Sequence, residues 1–129
     1  MTARVLVCDD ETHIVRAVEF KLRRAGLEVL TASDGAEAWQ RIQQQPPQLV
    51  VSDCQMPRMN GLELIEHIRR WEPTARIPVI LLTGKGYELS QQKLQALGVS
   101  ALFTKPFSPR ELEAKVLQLL GRAPAQSTV

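Results

Sequence analysis

The chain has 129 residues, 44% hydrophobic and 23% charged, with a net charge of +2. That length suits one domain around a single core, and no apolar run approaches the ~20 residues that a membrane helix needs. The basic residues are scattered and aromatics make up only 5%, which argues against a nucleic-acid footprint or a base-stacking surface.

Acids follow the first apolar run at once in MTARVLVCDDE, so no secretory pattern is present and the cytoplasm is the expected location. Residues 5–8 form that run. Ile14, Val18, Leu22 and Ala25 then recur at helical spacing, with Gly26 placed to close the helix. A second, shorter run covers 27–30. Ala36, Trp39 and Ile42 mark the next helix, ended by Pro46 and Pro47. The third run is 49–51, and Gly61, Leu62, Ile65 and Ile68 give the third helix. The fourth run is 77–82, with Pro78 tolerated near its start. Leu94 and Leu97, before Gly98, give a weak fourth helix. The fifth run is 101–103. Leu112, Val116 and Leu119, before Gly121, mark the last helix, with Ser108 as its cap and Pro109 at its first position. Runs one, three and four are apolar on successive residues, as in strands covered on both faces. Alternating strands and helices predict a parallel sheet with right-handed crossovers. Residues 1–121 are expected to form the domain. Residues 122–129 lack apolar periodicity and read as a flexible tail or the start of a linker.

In an open parallel sheet, ligands bind beyond the carboxyl ends of the strands. Asp9, Asp10 and Glu11 follow the first run, Asp53 the third, Thr83 the fourth, and Lys105 with Pro106 the fifth. Clustered carboxylates repel unless a proton or cation intervenes. Oxygen ligands of this kind favour Mg²⁺, and a carboxylate can act as a nucleophile toward phosphorus. The remaining needs of phosphoryl transfer are donors for the equatorial oxygens, which Thr83 and Lys105 supply. The two cysteines, Cys8 and Cys54, match no metal motif and read as small buried residues. His13 and His67 read as surface or helix-edge residues. Trp39 and Trp71 read as packing residues.

Cys8-Asp9-Asp10-Glu11, Asp53 with Met56-Pro57 and Asn60-Gly61, Leu82-Thr83-Gly84, and Phe103-Thr104-Lys105-Pro106-Phe107 together resemble the receiver domain of two-component response regulators, of the chemotaxis-regulator kind. The resemblance runs over residues 4–120. It implies an α/β, flavodoxin-like (βα)5 fold: a doubly wound five-stranded parallel sheet of order 2-1-3-4-5 with helices on both faces. It implies that Asp53 accepts a phosphoryl group from a phosphohistidine on a sensor histidine kinase or a histidine phosphotransfer protein. Asp10 binds Mg²⁺ directly and Asp9 through water, with Asp53 and the backbone carbonyl of Gln55 as further ligands. Thr83 and Lys105 contact the phosphoryl oxygens, and the Lys105–Pro106 bond is cis. The expected activity is signalling, with self-phosphorylation and slow autodephosphorylation rather than turnover. A downstream protein or a second copy is expected on the face of the fourth helix, fifth strand and fifth helix. No direct contact with nucleic acid or membrane is expected.

Several positions depart from the family pattern. Leu102 stands where an aromatic residue is usual, and Phe103 beside it points to the other side of the strand. Switching is therefore expected to be muted or to use another reporter, such as Tyr87. Gly84 replaces the more frequent Ala. Gln55 and Lys85 stand where attack of water on the phosphoaspartate is tuned. Two other functions compete: a binding scaffold that never uses its acids, and a hydrolase with an aspartyl-phosphate intermediate. Against the hydrolase, position 55 is Gln rather than the second acid such enzymes use. The chain also reads either as a stand-alone receiver or as the N-terminal part of a longer, for example DNA-binding, regulator.

Overall fold

Apolar runs without polar interruption need cover on both faces, and here they become the inner strands of one sheet. A computed structural model describes residues 2–84 and 89–121. The elements in chain order are β1 (Arg4–Cys8), α1 (Thr12–Arg24), β2 (Glu28–Ala32), α2 (Gly35–Gln44), β3 (Leu49–Asp53), α3 (Gly61–Arg70), β4 (Val79–Thr83), α4 (Gln91–Ala96), β5 (Ala101–Thr104) and α5 (Pro109–Leu119), with a 3₁₀ turn at Glu72–Thr74. All strand pairs are parallel, in the order β2-β1-β3-β4-β5. The expected architecture is therefore the observed one.

Boundaries differ from the apolar pattern where backbone pairing outruns it. β3 extends to Asp53, which pairs with Leu82, and β4 extends to Thr83, which pairs with Thr104. β2 starts after Leu27 and runs on to Ala32. Pro78 precedes β4, where it has no ladder N–H to give, though its carbonyl accepts from Val50 N at 3.2 Å. The inward face of α2 is Gly35, Ala38 and Ile42, with Ala36 exposed and Trp39 half-buried. Asp34 caps that helix, accepting from Glu37 N at 2.8 Å; of the expected stripe, Ile42 is buried and Trp39 packs against the core, and only Ala36 faces outward.

Period-two alternation sorts the strand side chains into two cores. Val5, Val7, Leu49, Val51, Ile80 and Leu82 meet α1 and α5. Leu6, Cys8, Val50, Val79 and Leu81 meet α2, α3 and α4. On the second face, Trp39 of α2 meets Trp71 edge-on at 5.8 Å and lies 5.2 Å from the His67 ring, fastening α2 to α3. Asn60 and Glu63 form a reciprocal capping box at the start of α3. Ser108 caps α5, with Pro109 in its first turn.

Arg69 holds the far end of α3. Its guanidinium donates to Ile77 O at 2.7 Å, Leu97 O at 2.8 Å, Gly98 O at 3.0 Å and Ala75 O at 3.2 Å. A planar five-donor fork suits this, whereas one ammonium reaches fewer acceptors. Arg69→Ala is expected to lower the unfolding free energy by about 2–4 kcal/mol in urea titration, with Arg69→Lys recovering only part of the loss.

Candidate functional site at the carboxyl edge of the sheet

Each functional side chain is delivered by a strand end that its neighbour holds. Asp9 N donates to Ala32 O at 3.2 Å, which carries the β1–β2 ladder one step past β1. Beyond Asp53, Cys54 N donates to Leu82 O at 2.8 Å, and Gly61 N returns to Cys54 O at 2.9 Å. A Cβ on Gly61 would sit 2.3 Å from Asp53 O, so only glycine lets α3 begin this close to the acceptor strand. Lys105 N donates to Thr83 O at 2.7 Å, tying the end of β5 to the end of β4.

The side chains converge on one point. Asp9, Asp10 and Asp53 bring carboxylate oxygens within 4.8 Å of one another. Asp9 and Asp53 are buried, whereas Asp10 is exposed. The Lys105 ammonium reaches Glu11 Oε1 at 2.6 Å, Asp9 Oδ2 at 2.9 Å and Asp53 Oδ2 at 3.4 Å. Its alignment makes a hydrogen bond to Glu11. Toward Asp9 it stands at ion-pair distance only, so Asp9 Oδ2 is a buried oxygen that receives no hydrogen bond among the described residues. Asp9 Oδ1 accepts from Glu11 N at 2.9 Å. Thr83 is buried, and its hydroxyl makes only a long contact, 3.4 Å, to Gly84 O.

This crowding shows in the acidities. Burial, then the Asp9 charge, pushes the Asp53 carboxyl up to about 6, against the pull of Lys105 and the Gln55 N–H. Burial also raises Asp9, despite the Glu11 N–H and Lys105. Glu11, exposed and bonded to Lys105, is held below its ordinary value. Lys105 is raised: against its own burial, the close contacts with Glu11 and Asp9 and the charges of Asp9 and Asp53 win. The charge balance is therefore incomplete, with one ammonium among four acids.

Residues 5–117 match the family model of the response regulator receiver domain. The chain belongs to that family. It is 37% identical over 123 residues to the alkaline phosphatase synthesis transcriptional regulatory protein PhoP of Bacillus subtilis, a match covering 95% of this chain and 50% of that protein. The receiver thus spans about half the length of the curated relatives it matches. Among solved structures it resembles the Vibrio cholerae chemotaxis protein CheY4, with a TM-score of 0.83, 32% identity, and 92% of this chain and 99% of that one covered. It also resembles the receiver domain of a sensor histidine kinase from Pseudomonas aeruginosa, described with a magnesium ion coordinated in its active site cleft, with a TM-score of 0.82, 25% identity, and 94% and 99% covered.

The receiver's edge holds Asp9, Asp10, Asp53, Thr83 and Lys105, the residues singled out from sequence. Gln55 is the second residue of the following loop, and its side-chain oxygen lies 3.9 Å from where a Cβ on Gly84 would sit. The Lys105–Pro106 bond is cis. Leu102 is 42% exposed, while Phe103 packs toward α1 and α5 and meets Phe107 edge-on. Lys85, Tyr87 and the tail 122–129 lie outside the described residues. Cys8 and Cys54 are free and buried. Burial raises both thiols, Cys54 to about 11, so neither is a ready thiolate. Sequence reasoning missed Glu11 as the nearest partner of Lys105, although its place in the acid run was a signal. It also missed Asp34 and Arg58, which join two loops beside the site.

Asp53 is a weaker acid in the folded state, its pKa raised to about 6, so its ionisation costs stability as pH rises from about 4 through about 6. In metal-free buffer, Asp53→Asn is expected to raise the unfolding free energy by about 1–3 kcal/mol at pH 7.5. At about pH 2.5, below both the ordinary and the folded value, where the carboxyl is protonated in both states, that gain should vanish in urea titration.

Proposed function

We propose that this receiver accepts a phosphoryl group on Asp53 from a phosphohistidine of a partner kinase or phosphotransfer protein, and so switches its contacts with other proteins. The observation that carries the reading is the three-carboxylate cluster of Asp9, Asp10 and Asp53, in which the one ammonium, Lys105, is shared among Asp9, Asp53 and Glu11. Buried carboxylates that share one ammonium call for a further cation. All-oxygen donors with an exposed carboxylate on the open side suit Mg²⁺, which keeps several waters. Asp9, Asp10, Asp53 and the Gln55 carbonyl would hold it. The magnesium in the cleft of the similar kinase receiver supports the same choice. When bound, Mg²⁺ neutralises charge on the phosphoryl oxygens.

The chain's own groups supply the rest. An Asp53 carboxylate oxygen bonds to phosphorus as the phosphorus–nitrogen bond of the donor breaks, and the electron pair leaves on the imidazole nitrogen. Lys105 and the Thr83 hydroxyl bind the phosphoryl oxygens. Lys105 needs to move little, since it already stands 3.4 Å from Asp53. A cleft of about 390 Å³ opens beside it, lined by Glu11, Ile14, Ala17, Lys105, Pro106 and Phe107. Its apolar wall and charged rim suit the donor's helix. Gln55 and Lys85 tune attack of water on the product. Output passes through the face of α4, β5 and α5, where Leu102 gives an exposed apolar contact. Among the described residues no helix is long and apolar enough to cross a membrane, and the proposed location is the cytoplasm. The relatives named as transcriptional regulators support control of an output module, attached or separate.

Incubation with acetyl phosphate and Mg²⁺ should add one phosphoryl mass to the wild type, and none to Asp53→Asn or in the presence of EDTA. Phosphorylation that survives Asp53→Asn would sink the assignment, and steady phosphate release from a small ester would favour a hydrolase. Beryllofluoride with Mg²⁺ should shift the Leu102 amide resonance, and Leu102→Glu should leave phosphorylation unchanged while abolishing capture of the downstream partner.

A further inference from the structure

Arg58 has φ +69, the one non-glycine residue in the left-handed region among the described residues. A side chain there is disfavoured, and glycine would be free of the strain. Its guanidinium has a destination that glycine lacks. Nη2 donates to Asp34 Oδ2, and the pair is a salt bridge although Arg58 is 71% exposed. Asp34 itself is covered by its neighbours, and its other oxygen already caps α2. The Glu37 N–H and Arg58 together hold the Asp34 carboxyl below its ordinary range.

The same two loops meet at two further places. A Cβ on Gly35 would sit 2.1 Å from Met59 O, so the β2–α2 turn and the β3–α3 loop are in close backbone contact. Cys8 Sγ donates to Asp34 O at 3.3 Å and lies 3.2 Å from Met56 Sδ. The loop from Cys54 to Asn60 is thus fixed at its start through Leu82, at its end through Gly61, and at its middle through Arg58. Between the first and middle anchors stands Gln55, whose N–H faces the Asp53 carboxylate.

We infer that Arg58, latched to Asp34, is a positioning residue for the phosphoacceptor site: it holds the loop that presents the Gln55 backbone to Asp53 and to the cation. Arg58 touches none of the reacting atoms. It acts by keeping Gln55 at one distance from Asp53, as outer groups orient the ligands of metal sites generally. An ion pair this exposed contributes little to overall stability, so its effect belongs to the loop rather than to the fold. The inference rests on the proposed Mg²⁺-dependent phosphorylation of Asp53.

The test measures Mg²⁺ dissociation constants and phosphorylation rates from acetyl phosphate, with urea stability alongside. Arg58→Ala should weaken Mg²⁺ binding about tenfold and slow phosphorylation, with the Gln55 amide resonance displaced. Arg58→Gly should do the same although it relieves the backbone, and Arg58→Lys should restore part of the affinity. Asp34→Asn keeps a capping oxygen but drops the charge, and should match Arg58→Ala. The double variant should be no worse than either single one, since both remove one interaction. Unchanged Mg²⁺ binding and rates in all variants, or effects that multiply in the double variant, overturn the latch while leaving the proposed function standing. Failure of the wild type to bind Mg²⁺ or to be phosphorylated overturns both.

Discussion

Asp9 and Asp53 can share one edge of the sheet only while positive charge stands between them. Lys105 supplies part of it, at 2.9 Å from one and 3.4 Å from the other, but shares itself with Glu11 at 2.6 Å. One ammonium cannot satisfy three carboxylates, and the residue of the imbalance is visible in the raised Asp53 and Asp9 carboxyls. The rest of the architecture serves to hold this unfavourable arrangement in place. Strands β1, β3 and β4 are buried on both faces, so the strand ends that carry the acids cannot drift apart without opening the core.

The two edges of the sheet are built differently, and this bears on how a change at the site travels. β5 alternates between half-buried and exposed positions, so its outer face is only partly covered. Thr83 on β4 pairs with Thr104, two residues beyond Leu102, and Lys105 comes directly after it. A displacement of Thr83 or Lys105 toward a new anion therefore acts on the least enclosed strand. Leu102, lacking a ring or hydroxyl, has no polar partner to exchange on the way. A shift of exposed apolar surface is what it has to offer a partner.

The sheet and its chemical edge were legible because both rest on local, repeated patterns. Continuous apolar runs marked the three inner strands, and the topology of a parallel sheet then singled out the residues just beyond their carboxyl ends. Strand ends were less legible: Asp53 and Thr83 proved to be the last residues of β3 and β4, because backbone pairing with Leu82 and Thr104 is indifferent to side-chain polarity. Of the α2 stripe only Ala36 faces outward, while Ile42 is buried and Trp39 packs against the core; Gly35, pressed against Met59, takes the inward place in the first turn. Arg69 and Arg58 were not legible at all. Their partners are backbone carbonyls and a capping carboxylate 24 residues away, in the case of Arg58, and no periodicity encodes such pairings. Glu11 was visible as an acid but not as a competitor for Lys105, since that contact joins residues 94 positions apart.

The electrostatic imbalance at this edge also explains why a binding scaffold that never uses its acids is the weaker alternative. A scaffold would gain from replacing Asp53 or Asp9 with a neutral residue, since burial of an underpaired carboxylate weakens the folded state at neutral pH. Keeping both, with a lysine that does not fully balance them, makes sense where a cation and an anion arrive in turn. A ligand that binds only the folded state stabilises it in proportion to its occupancy. On the proposed function the site would be poorest when empty, and each arriving charge would remove part of the penalty: the cation would offset the Asp9 and Asp53 carboxylates, and the phosphoryl oxygens would meet the ammonium of Lys105 and the nearly free hydroxyl of Thr83. Differential stabilisation of this kind is the thermodynamic requirement for a switch, because only interactions made unequally in two states can shift the balance between them.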